Sequence, residues 1–210
     1  MGKYFDALVN SMNTLASDPR TIFLGQAVAE PGTAMRNTLT EIKEFNILLA
    51  LYSSAGIKGL YQFVMEMDQS DVDNILLPLV KKELRQKREG LLQKNQPGWW
   101  VAKLYEQTPI NECNNIDRGI FSIYLFNIVC VQKDEAIFQA AGIPHAYLEG
   151  QNVELMANSD NVLRGGLTNK HIDVPAGISC SQPMVRAAPD TLAPGGGASA
   201  DKAGWTLGTV

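Results

Sequence analysis

Residues 141–174, AGIPHAYLEGQNVELMANSDNVLRGGLTNKHIDV, leave room for little beyond short strands separated by turns. Pro144, Gly150, Asn158, Asn161 and the Gly165–Gly166 pair interrupt the apolar residues too often for a helix to develop. Between those breaks, His145–Leu148 and Val153–Met156 read as strands. The same stretch carries concentrated chemistry: His145, Glu154 nine positions on, then Arg164, Lys170 and His171. Imidazole and carboxylate suit a divalent metal, whereas guanidinium and ammonium groups suit a phosphate. Glycines beside Arg164 allow a backbone or a ligand to come close. On residue chemistry alone, a polar loop with ordinary capping residues explains the stretch as well.

The middle of the chain reads differently. Ile42, Phe45, Leu48, Leu49 and Tyr52 form an apolar stripe at helical spacing that stops before Gly56, with Thr40 as its expected N-cap. Ser70–Asp71 opens a second helix with Val72, Ile75, Leu76, Leu79, Val80 and Leu84 inward, and Pro78 is expected to kink or divide it. Its end is basic, with Lys81, Lys82, Arg85, Lys87 and Arg88. Glu83 and Glu89 interrupt that run and the whole chain carries −4, so a solvated face is expected rather than a nucleic-acid patch. Pro97 starts a short helix containing Trp99 and Trp100, which serve packing better than sugar stacking. The nearly continuous apolar run from Asp117 to Asn127 fits helix or strand on its own.

Four runs carry a family resemblance: Gly56–Tyr61, Asn115–Tyr124, PHAYLEG at 144–150 and NSDNVLRGGLT at 158–168. From about Glu41 to Val174, roughly two thirds of the chain, the sequence resembles the type I mannose-6-phosphate isomerases, zinc-dependent cupin enzymes. The resemblance implies an α+β fold, in which a helical subdomain (39–110) packs on a partial cupin-type β-sandwich (111–175). It makes Asp117–Asn127 a helix running into a strand at Ile128–Val131, with a turn at Gln132–Asp134 and a return strand at Ala136–Gln139. It implies interconversion of mannose 6-phosphate and fructose 6-phosphate, a step that supplies GDP-mannose biosynthesis, with a metal polarising the sugar oxygens. By motif, His145 corresponds to a zinc ligand, Tyr147 and Glu154 to substrate-pocket residues, and Arg164 to the catalytic arginine. Lys170 corresponds to a basic residue near the substrate phosphate, although Asn169 stands where many members have proline. The expected geometry sets His145, Tyr147 and Glu154 around one cavity, with Arg164 reaching in from its loop.

One departure from the pattern is large. The family's other three zinc ligands lie in QPH-type and NHKPE-type motifs, and neither motif occurs in this sequence. A catalytic zinc normally takes three protein ligands and water. The expectation is therefore an isomerase-like chain of impaired activity, unless a partner chain supplies the missing ligands. The alternative is a non-catalytic chimeric or truncated remnant that at most binds sugar phosphate.

Residues 1–35 instead resemble the start of a transketolase-like β-subunit domain of 2-oxoacid dehydrogenases. The spacing of Phe5, Leu8, Val9, Met12 and Leu15 predicts a helix, followed by a strand at Thr21–Leu24, the beginning of an α/β layer within segment 1–38. The thiamine-activating glutamate of that family falls beyond the match, so thiamine chemistry is not expected. The tail 176–210 is rich in Pro, Gly and Ala and reads as disordered, with Trp205 and Leu207 its only anchors. Cys113, Cys130 and Cys180 show no paired spacing, which points to reduced thiols in the cytoplasm. No stretch of about 18 apolar residues suggests a membrane span, and no signal-peptide pattern opens the chain.

Overall fold

The computed structural model describes residues 20–25, 36–107, 110, 115–132, 137, 144–150, 152, 154, 163–168 and 205–206. Five helices occur among them: α1 (Arg36–Glu41), α2 (Asn46–Glu66), α3 (Gln69–Arg88), α4 (Pro97–Tyr105) and α5 (Ile120–Leu125). Four strands, β1 (Arg20–Gly25), β2 (Asn127–Gln132), β3 (Pro144–Glu149) and β4 (Trp205–Thr206), form one sheet in the order β2-β1-β3-β4. β1 runs antiparallel to both of its neighbours, pairing Phe23 with Val129 on one side and with Tyr147 on the other. The strand expected at Thr21–Leu24 is therefore present, and it lies inside the sheet formed by β2 and β3. The helix expected before it lies outside the described residues.

Side chains along β3 point to opposite faces in turn, as in any strand. Pro144, Ala146 and Leu148 are buried on one side, and Ala146 and Leu148 join the apolar core of the helices. His145, Tyr147 and Glu149 occupy the other face. The core itself collects Phe45, Leu48, Leu60, Val64, Leu76 and Leu79 from the first helices with Trp100, Ile120 and Phe121 from the later ones. Phe45 stands edge-on to Tyr124 with ring centroids 5.2 Å apart, and the Tyr61 and Ser122 hydroxyls share a buried hydrogen bond of 3.2 Å. These contacts fix α5 against α2, and β2 follows α5 after Phe126.

Several local expectations need correction. Thr40 is no N-cap but lies inside α1; extended backbone at Ile42 and a 3-10 turn at Lys43–Phe45 separate that helix from α2. Phe45 is fully buried, so the apolar stripe is satisfied across the break rather than by one helix. The stripe's stop at Gly56 marks a kink, not an end. Gly56 has φ 65° and ψ −171°, which a residue with a Cβ adopts only under strain, and helical backbone resumes beyond it to Glu66. Pro78 does not divide α3, which runs unbroken from Gln69 to Arg88; the burial of Leu76, Leu79 and Val80 around it offsets the missing hydrogen bond. By length and apolar content, Lys43–Glu66 would suffice to cross a membrane, yet seven residues of α2 are buried in the core. The tail is not wholly irregular: Trp205 and Thr206 pair in parallel with Pro144 and His145. The remaining tail residues lie outside the described ones, as does most of the expected strand at Val153–Met156.

A buried carboxylate sits where α3 meets α4. Glu83 is 5% exposed, and its side chain occupies the space beside Gly98, where an added Cβ would come within 2.2 Å of Glu83 Oε2. Burial pushes the Glu83 carboxyl above the usual carboxylate range, with Lys82 at 3.9 Å offsetting only part of that. A raised folded-state value means that the folded chain holds this proton more tightly than the unfolded chain. Its contribution is thus fully favourable below about pH 4.5, the unfolded value, and is lost as pH rises through the folded value. Glu83→Gln should therefore gain stability relative to wild type as pH increases from 4 to 7.5 in urea titrations. A difference that stays constant over that range would show that Glu83 carries no such linkage.

Candidate functional site

The chemistry-bearing face of β3 brings together three of the residues singled out in the sequence. His145 is 5% exposed, and its Nε2 lies 3.8 Å from Glu154 Oε1. Tyr147, two residues along the same face, meets the His145 ring edge-on with centroids 6.2 Å apart. Burial, reinforced by the Glu154 charge, pushes the Tyr147 hydroxyl up to about 12, while a hydrogen bond with Asn152 pulls the other way. Tyr147 is consequently a neutral hydrogen-bond donor at physiological pH. An imidazole, a carboxylate and a phenol so arranged can bind hydroxyl groups and exchange protons with them.

Arg164 is positioned by a separate set of contacts. It is half-buried in the segment 163–168, whose Gly166 rests on the turn before α5. Asp117 ties the two motifs together: Gly119 N–H donates to its Oδ1 at 2.6 Å and Leu167 N–H to its Oδ2 at 3.1 Å. Gly166, at φ 147°, comes so near that a Cβ on it would lie 2.7 Å from Gly119 Cα. The close approach anticipated for the Gly165–Gly166 pair is thus made by backbone. Asp117 is further seated by its own N–H, which donates to Tyr105 Oη at 3.0 Å. Asp117 lies in the Asn115–Tyr124 motif, two residues before Gly119, and that spacing is the one sign of its task in the sequence. Lys170 lies outside the described residues.

The far end of β3 is anchored to the helices. Glu149 forms ion pairs with Lys94 and with Lys103, the latter at 3.4 Å, and the Lys94 hydrogen bond foremost holds its carboxyl below the usual range. Lys94 also offers its carbonyl to Trp100 Nε1 at 2.6 Å. The strand that carries His145 is therefore braced against α4 through one carboxylate.

As a metal site the cluster is deficient. His145 and Glu154 provide two donors, and among the described residues no group of three or more His, Cys, Asp or Glu side chains converges. Catalytic zinc sites have three protein ligands. The described residues by themselves do not fit a resident zinc.

The fold has solved counterparts, and they are phosphomannose isomerases of cupin type. A point mutant of phosphomannose isomerase from Salmonella typhimurium superposes with a TM-score of 0.60 at 26% identity, covering 80% of this chain and 40% of the other. A second structure, mannose 6-phosphate isomerase from Salmonella typhimurium bound to substrate (f6p) and zinc, gives a TM-score of 0.57 at 25% identity over 86% and 47%. Sequence similarity points to the same proteins. The mannose-6-phosphate isomerase of Bos taurus is 32% identical over 170 residues, 74% of this chain and 39% of its own length. That of Escherichia coli K12 is 35% identical over 147 residues, 66% and 36% respectively. The chain is thus a relative of the mannose-6-phosphate isomerases and spans about two fifths of the length of those it matches. No family model matches it.

Proposed function

We propose that the chain is an isomerase-like protein carrying the substrate-side portion of a mannose 6-phosphate/fructose 6-phosphate site, with turnover impaired or absent when it acts alone. The observation that carries this reading is the convergence of His145, Tyr147 and Glu154 on one side of β3, within a chain related to mannose-6-phosphate isomerases. In this reading Tyr147 and Glu154 hold sugar hydroxyls, the protonated phenol donating and the carboxylate accepting. Arg164 stabilises the oxyanion that develops as a proton moves between C1 and C2, and Lys170 meets the phosphate. His145 is the one retained metal ligand, and a partner chain would have to furnish the remainder. A cytoplasmic setting is part of this reading, supported by the unpaired spacing of Cys113, Cys130 and Cys180.

The two-donor count favours a second reading, a non-catalytic remnant that binds sugar phosphate at most. Zinc content and isomerase activity of the purified chain separate the two, with His145→Ala and Arg164→Ala alongside. Stoichiometric zinc together with activity that both substitutions abolish would refute the remnant. Folded, metal-free protein that does not convert mannose 6-phosphate would refute catalysis by the isolated chain. Removal of an oxyanion-stabilising group typically costs about 100- to 1000-fold in kcat. Any turnover present should fall by that order in the Arg164 variant.

A further inference from the structure

The described residues line an open cleft of about 400 Å3 that shares no lining residue with the β3 cluster. Its wall is the end of α3, where Lys81, Leu84 and Arg88 recur at the spacing of one helix face, with Lys87 beside them. Tyr105 and Glu106 at the end of α4 form the opposite wall, with Ile110 beyond them. Charge is strongly segregated here: seven of the chain's 18 Lys and Arg residues fall between 81 and 103, against two glutamates, in a protein of net charge −4. A local excess of this kind concentrates anions at a cleft.

The lining groups differ in what they have left to offer. Lys87 is committed, 3.1 Å from Glu106 and 4.3 Å above the Trp99 ring. Arg88 donates its Nε–H to the Leu84 carbonyl at 3.3 Å, which holds the guanidinium plane while its terminal nitrogens keep their hydrogens. Lys81 is exposed and forms no ion pair among the described residues. Tyr105 Oη accepts from Asp117 N–H at 3.0 Å, and its own hydrogen can therefore be donated elsewhere. Two cationic groups and a hydroxyl donor thus border one cleft, beside the apolar side chains of Leu84 and Ile110.

The geometry points to a second ligand site, between the end of α3 and the end of α4, for a phosphate monoester with an apolar organic part. Planar guanidinium and ammonium donors match phosphate oxygens. Leu84 and Ile110 favour an organic group over bare phosphate. Glu106 is paired with Lys87, which leaves Lys81 and Arg88 as the cationic groups that face a ligand.

Isothermal titration calorimetry of the full chain with phenyl phosphate, inorganic phosphate and benzoate, at matched ionic strength, tests this. Saturable binding of phenyl phosphate is expected, tighter than that of inorganic phosphate or benzoate. The K81Q/R88Q variant alters two exposed side chains, so its circular dichroism should be unchanged. It should bind phenyl phosphate at least about tenfold more weakly, as expected when charge-assisted contacts are lost. His145→Ala should bind as wild type does, whatever becomes of the isomerase reading. The site is refuted if no saturable binding occurs at millimolar phenyl phosphate, if K81Q/R88Q binds equally well, or if His145→Ala removes the binding. Preference for inorganic phosphate or benzoate would refute the ligand class.

Discussion

Trp100→Ala should destabilise the chain by about 3–5 kcal/mol, the usual cost of removing a large buried aromatic side chain. For a chain of this size that corresponds to roughly 10 °C in Tm. Trp100 is fully buried and meets Trp99 edge-on with centroids 4.6 Å apart, and the next two residues of α4, Val101 and Ala102, are buried as well. Its indole N–H also holds the Lys94 carbonyl, and Lys94 in turn holds Glu149 at the end of β3. Truncation therefore opens a cavity and loosens the brace on the strand bearing His145. Trp100→Phe separates the two effects. It keeps most of the apolar ring but leaves the Lys94 carbonyl without its donor, for a loss of about 1–2 kcal/mol. Denaturant titrations of both variants at one pH provide the measurement. A Trp100→Ala protein within about 1 kcal/mol of wild type would mean that α4 does not complete the core.

What the sequence disclosed follows from the range of the forces involved. β3 was legible because PHAYLE alternates, and the alternation alone puts His145 and Tyr147 on one face and Ala146 and Leu148 on the other. The start of α4 was legible because proline at a first helical position leaves no intrahelical donor unpaired. Thr40 misled because a capping residue and two following glutamates are a local signal. Burial of Leu39 and Phe45 on either side of the interruption between α1 and α2 is a tertiary one, and it prevailed. Pro78 misled for the same reason. The neighbours of β1 could not be read at all, since pairing Phe23 with both Val129 and Tyr147 depends on contacts more than a hundred residues apart. At the site, residue chemistry gave His145 and Glu154, and the family resemblance added Tyr147 to make the group. They gave nothing of the Asp117 bridge, whose two acceptor oxygens serve the backbone N–H groups of Gly119 and Leu167, the latter 50 residues from Asp117 in the chain.

That bridge makes Gly166 the most sensitive position outside the apolar core. Alanine there must adopt φ near 147°, a region that L residues enter only under strain, at a cost of about 1–3 kcal/mol. Its methyl group would also lie 2.7 Å from Gly119 Cα and 3.1 Å from Gly119 N. Neither atom is the movable end of a side chain, so the loop or the turn has to shift as a unit. Movement of the loop breaks the Leu167 N–H bond to Asp117, a charge-assisted contact whose loss costs roughly 1.5–3 kcal/mol. A total of about 2.5–6 kcal/mol is expected for Gly166→Ala, together with displacement of Arg164 two residues earlier. Asp117→Asn weakens the same clasp from the other side, because a neutral amide offers one acceptor oxygen where the carboxylate offers two. If both substitutions act by releasing one contact, the double variant should cost little more than Gly166→Ala alone in urea unfolding. Full additivity would mean that the glycine strain and the Asp117 bridge are independent, and that the loop carrying Arg164 is held by something other than this clasp.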